Sequence, residues 1–136
     1  MHSSKINAEW PNALRWFLCQ ELVHFTPWHF FTEPDEFNFA AQAFAREDVS
    51  CGKVLVFARR QDRDDFAGLE IQDGKFMNRV IYFHPVFGSS QKESPRTWNI
   101  VCEVFDDVFE FVSKRVITDM KEWALDEDAQ DFNATA

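Results

Sequence analysis

The side chains with the most chemical potential in this 136-residue chain are the acids of Asp62-Arg63-Asp64-Asp65 and the imidazole of His84. Carboxylates two or three residues apart in a turn can supply part of the oxygen shell of a hard cation. The calcium-loop spacing, with its central glycine and terminal glutamate, is absent, and Arg59, Arg60 and Arg63 are placed to neutralise the same acids. Turn capping and ion pairing are therefore the favoured reading of the run. His84 ends an apolar run, a position from which a side chain can reach a cleft and act as general base. No motif sets a Ser or Cys nucleophile and an orienting group beside it, so a hydrogen-bonded structural histidine is favoured. His24 and His29 lie five residues apart with Pro27 between them, which spoils the helical i, i+4 pair of a metalloprotease. Four glycines, none in a phosphate-loop pattern, exclude nucleotide binding by that route. Neither a metal nor a cofactor is expected.

These residues need a scaffold, and the stretch from Lys53 to Pro85 supplies it. Val54-Leu55-Val56-Phe57 is β-branched and aromatic, Phe66-Ala67-Gly68-Leu69-Glu70-Ile71 reads as a second strand, and Arg79-Val80-Ile81-Tyr82-Phe83 as a third. Asp73-Gly74 is a turn pair because glycine tolerates positive φ. The expected result is an antiparallel meander with the acidic run at one bend and His84 at the end of its last strand.

Two helices are predicted before it. Leu14, Phe17, Leu18 and Leu22 recur at three and four residue intervals between Trp10 and Val23, with Pro11 in the first turn. Phe37, Ala40, Ala41 and Phe44 do so from about Pro34 to Arg46, behind the N-terminal acids Asp35 and Glu36. Thr26 to Phe31 lacks a helical phase and reads as an apolar loop or short extended piece, packed under the meander or exposing Trp28, His29 and Phe30 as a binding rim. Val86 to Thr97 is a polar Gly/Ser/Pro stretch expected to be a mobile loop. Trp98 to Phe105 alternates as a fourth strand would. Asp107 and Glu110 form a capping-box pattern, and Phe105, Val108, Phe109, Val112, Val116, Met120 and Trp123 then mark one face of a C-terminal helix. Asp126 to Ala136 is acidic, aperiodic and expected to fray. The fold class is thus α+β: one domain over residues 1–136, with an antiparallel sheet of about four to six strands and helices packed on it.

The central block carries a resemblance. Phe57-Ala58-Arg59-Arg60-Gln61-Asp62-Arg63-Asp64-Asp65-Phe66-Ala67, followed by Asp73-Gly74 and Val80-Ile81-Tyr82-Phe83-His84, resembles the SUKH superfamily, in the branch of the Smi/Knr cell-wall assembly regulators. There too a strand ends in a phenylalanine-containing segment, an acidic hairpin follows, and a strand ending in His comes next. The resemblance implies the same α+β fold and a non-enzymatic protein-binding role. For bacterial members that role is immunity, in which a small cytoplasmic protein binds and neutralises a cognate toxin, often a nuclease.

Charge agrees with such a partner. The net charge is −9, from fourteen basic and twenty-three acidic side chains. Up to position 60 six basic residues face seven acidic ones, whereas beyond it eight face sixteen, so the acidity belongs to the second half. That field repels nucleic acid and anionic membrane and steers a basic protein toward the chain. The expected contacts are Asp62, Asp64 and Asp65 at the hairpin, Asp106, Asp107 and Glu110 at the last helix, and Trp28. The last-helix acids follow from charge and not from the resemblance. Cys19, Cys51 and Cys102 are odd in number and without a C-x-x-C pair, which fits a reducing cytoplasm. Glu9, Pro11, Asn12 and Arg15 interrupt any signal-length apolar run, so neither a signal peptide nor a membrane span is expected. Two other readings remain: a regulatory interaction module of the Smi/Knr type with a cellular partner, and a hydrolase or metal-dependent enzyme using His84 with Asp62, Asp64 and Asp65. No internal repeat or heptad pattern sets an oligomeric state.

Overall fold

All three strands expected between positions 53 and 85 form, each longer than its apolar centre. The computed structural model describes residues 5–43, 48–49, 53–84, 97–98 and 101–134. In chain order the elements are α1 (Asn12–Cys19), β1 (His24–Phe25), β2 (Trp28–Phe30), α2 (Pro34–Ala43), β3 (Asp48–Val49), β4 (Lys53–Arg60), β5 (Phe66–Gln72), β6 (Lys75–Phe83), β7 (Thr97–Trp98) and β8 (Val101–Phe105). Then α3 (Val108–Phe111), a π-helical stretch (Val112–Val116) and α4 (Ile117–Ala124) run on as one helix, and α5 (Ala129–Ala134) follows. Six strands make one antiparallel sheet in the order β1-β2-β4-β5-β6-β8, while β3 and β7 pair in parallel separately.

The β5–β6 connection is the Asp73-Gly74 turn, with φ of 51° and 75° at its two residues. Both angles lie in the left-handed region, which Gly adopts without a steric penalty and Asp tolerates better than most. In β4 the register shifts between Val56 and Ala58, so Phe57 is the extra residue of a bulge. All three of these side chains are buried. Phe57 packs on Phe30 and Phe111, with ring centroids 5.2 and 6.0 Å apart. Phe111 also meets Trp28 at 5.2 Å and Phe105 at 5.5 Å, which seats the C-terminal helix on one face of the sheet. α1 joins this core through Phe17 against Phe30 at 5.8 Å. Phe37 of α2 docks on Trp10 and Phe31.

Several elements differ from expectation, each for a local reason. Helix α1 stops at Cys19 and not near Val23, because Glu21 takes a φ of 58° and the N–H of Leu22 donates to the carbonyl of Phe17, a Schellman-type close. The apolar segment from Thr26 to Phe31 is a hairpin, β1 and β2 joined at Thr26-Pro27, whose peptide bond is cis. On the C-terminal helix the buried residues are Val108, Phe111, Val112, Val116 and Asp119, while Phe109 is exposed and Met120 half-buried. The apolar stripe in the sequence is wider than the face the sheet covers, and Phe109 uses its share against Phe17 of α1, 5.1 Å away. The tail expected to fray carries the short helix α5, opened by Asp128 accepting from the N–H of Gln130. The loop read at Val86 to Thr97 and the end of the second helix at Phe44 to Arg46 lie outside the described residues, Thr97 apart. Among the described residues, no helix is long and apolar enough to cross a membrane.

Candidate functional site

The bend between β4 and β5 divides the acidic run. The N–H of Arg60 donates to the carbonyl of Asp65 and the N–H of Asp65 to that of Arg63, both at 2.9 Å, and this tight closure turns successive side chains in different directions. Asp62 accepts from Arg60 Nε at 2.7 Å and faces Arg63 Nε at 3.6 Å. Asp64 points to solvent. Asp65 turns inward and is 3% exposed. Tyr82 donates its hydroxyl to Asp65 Oδ2 at 2.5 Å, and His84 Nδ1 lies 2.6 Å from Oδ1.

A second buried carboxylate continues the network. Asp119, 1% exposed, accepts from Trp28 Nε1 at 2.8 Å and from Arg115 Nη2 at 2.9 Å, and pairs with Arg60 Nη1 at 3.1 Å. Burying a carboxylate this deeply is costly unless charges and donors compensate it, and here two guanidinium groups and an indole do so. Burial pulls the Arg60 guanidinium down, yet the hydrogen bond to Asp62 and the charges of Asp119 and Asp62 outweigh that and hold it above its ordinary value. Arg115 lies over the Tyr82 ring, with Cζ 5.9 Å from the centroid, and approaches Glu103 at 4.0 Å. Its Nε is buried without a hydrogen-bond partner among the described residues.

Chemically, Asp65 and His84 are the orienting half of a general-base arrangement, since a carboxylate on Nδ1 fixes the ring and leaves Nε2 for other work. The imidazole side chain is 51% exposed. Among the described residues no hydrogen bond joins it to a Ser, Thr or Cys, and no group of three or more His, Cys, Asp or Glu side chains converges as a metal site. His24 and His29 meet across β1 and β2, with their Nδ1 atoms 3.5 Å apart and His29 Nε2 2.5 Å from Gln61 Oε1.

The expected docking residues do not form one surface. Trp28 is fully buried, its ring against Tyr82 and Phe111 and its N–H on Asp119, so it is an interior support and not a rim contact. Asp65 is likewise spent inside. Asp106 is exposed, Asp107 caps α3 by accepting from the N–H of Glu110 at 2.8 Å, and Glu110 lies 3.7 Å from Lys114. These three open the helix that Arg60 grips at Asp119, twelve residues on, which is about 18 Å along the axis. Glu122, Asp126, Glu127 and Asp128 lie at and just beyond the end of α4, and Glu127 and Asp128 line a pocket with Thr26, whose neighbour Pro27 accepts from the N–H of Gln61 in the bend at 2.8 Å. Asp126, Glu127 and Asp128 fall in the stretch that the sequence marks as a fraying tail. Sequence reasoning missed Asp119, whose signal was legible: a lone carboxylate three and seven residues after Val116 and Val112 on an apolar helical face. Arg60, ending an apolar strand, was the matching signal.

No protein-family model, curated protein or solved structure matches the chain.

Proposed function

We propose that this chain is a non-enzymatic protein-binding domain that neutralises a basic cognate toxin in the cytoplasm, in the manner of the SUKH-type immunity proteins its central block resembles. The observation that carries the reading is the Arg60–Asp119 clamp at 3.1 Å. It ties the β4–β5 bend, which carries Asp62 and Asp64, to α4, whose C-terminal end leads into Glu122, Asp126, Glu127 and Asp128. From Ile117 to Asp131 six acidic residues accompany a single base, Lys121. A nuclease must be basic where it holds phosphate, and such a surface is drawn to this end and occluded by it.

The test is co-expression with a toxin domain encoded beside this chain's gene, followed by calorimetry of the purified pair at low and high salt. A one-to-one complex that weakens with salt and abolishes toxin activity is expected. A toxin left unbound and fully active overturns the reading. Stable capture of a housekeeping protein, with no protection from toxin, points instead to a regulatory module of the Smi/Knr type.

One observation favours an enzyme: His84 sits 2.6 Å from Asp65, within the distance a base and its orienting carboxylate need. On that reading His84→Ala abolishes turnover of a hydrolysable substrate while leaving the fold intact. On the binding reading the same variant keeps its partner.

A further inference from the structure

A cavity of about 410 Å³ lies between the β1–β2 hairpin and the junction of α4 with α5, lined by His24, Thr26, Met120, Trp123, Glu127 and Asp128, with Ala124 and Ala129 completing it. Its walls are mainly apolar, but two carboxylates stand at its edge in fixed positions. Glu127 Oε2 accepts from Trp123 Nε1 at 2.7 Å. Asp128 Oδ1 accepts from the N–H of Gln130 at 2.8 Å, and its carbonyl from that of Asp131 at 3.1 Å. Each acid thus has one oxygen tied to the protein and one with no hydrogen bond among the described residues. Among the described residues no Lys or Arg lines the cavity, and His24 is its one basic side chain. Leu125, 79% exposed, stands next to it in sequence.

We infer that this cavity is the anchor pocket for an arginine side chain of the basic partner. The inference rests on the binding function proposed above. An apolar slot with two pre-set acceptors and no such Lys or Arg selects an occupant with a hydrocarbon stem and a cationic head. Arginine suits it better than lysine, because the planar guanidinium offers a fork of donors to two carboxylates and stacks on an indole. Anchors of this kind, a long side chain in a desolvated pocket inside a charged rim, carry most of the energy of an interface.

The experiment uses the full chain labelled with nitrogen-15 and two probes, N-acetyl-arginine amide and its uncharged analogue N-acetyl-norleucine amide. The reporter is the Trp123 indole N–H resonance. Saturable movement in the millimolar range is expected for the arginine probe alone. The double variant Glu127→Gln/Asp128→Asn, in which both side chains keep an oxygen for their internal donors, weakens it by about tenfold or more. Thermal melting of that variant checks that the fold is kept. It weakens the toxin complex in parallel. Equal movement with norleucine overturns the inference in favour of an uncharged apolar occupant. A toxin complex indifferent to the double variant overturns it too, and leaves the binding function standing. A wild-type chain that binds the arginine probe yet holds no protein partner overturns the occupant and the binding function together, an outcome no other arm produces.

Discussion

Asp64 and Asp65 are neighbours in sequence and belong to different regions. Asp65 is buried in a polar knot with Tyr82 and the half-exposed His84, beside the one formed by Asp119, Arg60, Arg115 and Trp28. Asp64 faces outward, as do Asp62 beside it and Glu122, Asp126 and Asp128 at and beyond the end of α4. In the knot both oxygens of Asp65 and of Asp119 face donors, so these acids have nothing left to offer a partner. At the α4–α5 junction, Glu127 and Asp128 each keep one oxygen without a hydrogen bond among the described residues. Residue type is the same in both regions; direction relative to the sheet decides whether a carboxylate holds the fold or addresses the outside.

The strongest way to break that comparison is to remove the centre of the knot. Asp119→Ala leaves the Trp28 indole N–H buried without its acceptor and the Arg60 guanidinium with Asp62 as its remaining counter-ion, and a loss of about 3–5 kcal/mol is expected. Urea unfolding with an unchanged slope reads it directly. A loss below about 1 kcal/mol would show that the knot does no more than an exposed ion pair. Arg60 adds no pH dependence near neutrality. A basic group held above its ordinary value contributes fully below the pKa of the unfolded chain, and that contribution is lost only as pH climbs past the folded value, far on the alkaline side.

A smaller effect sharpens the contrast within the run itself. Asp65→Ala removes the buried carboxylate that accepts from the Tyr82 hydroxyl and pairs with His84, and is expected to cost about 1–3 kcal/mol. Asp64→Ala, one residue earlier, stays within about 0.5 kcal/mol of wild type. Equal losses at the two positions would mean that the bend does not separate them. Melting of the two variants side by side is sufficient.

Most of the fold was legible, because the signals that make strands and helices are local. The Val54–Phe57 and Val80–Phe83 runs, the Asp73-Gly74 turn and the stripe from Val108 to Val116 each specify their element within a few residues. The hairpin at His24–Phe30 was read only as apolar and extended, since pairing with β4 is a property of distant chain. Trp28 was misplaced for the same reason. A large aromatic beside Pro27 looks equally suited to a rim or a core until Asp119, ninety-one residues away, supplies the acceptor for its N–H. The acids of the hairpin and His84 were singled out, but which of them turn inward depends on the bend's hydrogen bonds. The Arg60–Asp119 pair, which ties the bend to α4, links two segments no local pattern connects.

The mildest perturbation tests the outer region alone. Reversing Asp64 and Asp126 to lysine changes the net charge by four, from the −9 of the wild type. Neither side chain accepts a hydrogen bond among the described residues, so stability is expected to stay within about 0.5 kcal/mol, with a slight gain at low ionic strength as self-repulsion falls. Association with a basic partner behaves differently. Its rate falls at low salt, where steering acts over more than a Debye length of about 10 Å, and approaches that of wild type once added salt screens the field. Stopped-flow mixing at several ionic strengths separates the two. A double reversal that unfolds the chain would place Asp64 or Asp126 inside the structural network. A rate unaffected at low salt would show that a partner approaches from some other side of the sheet.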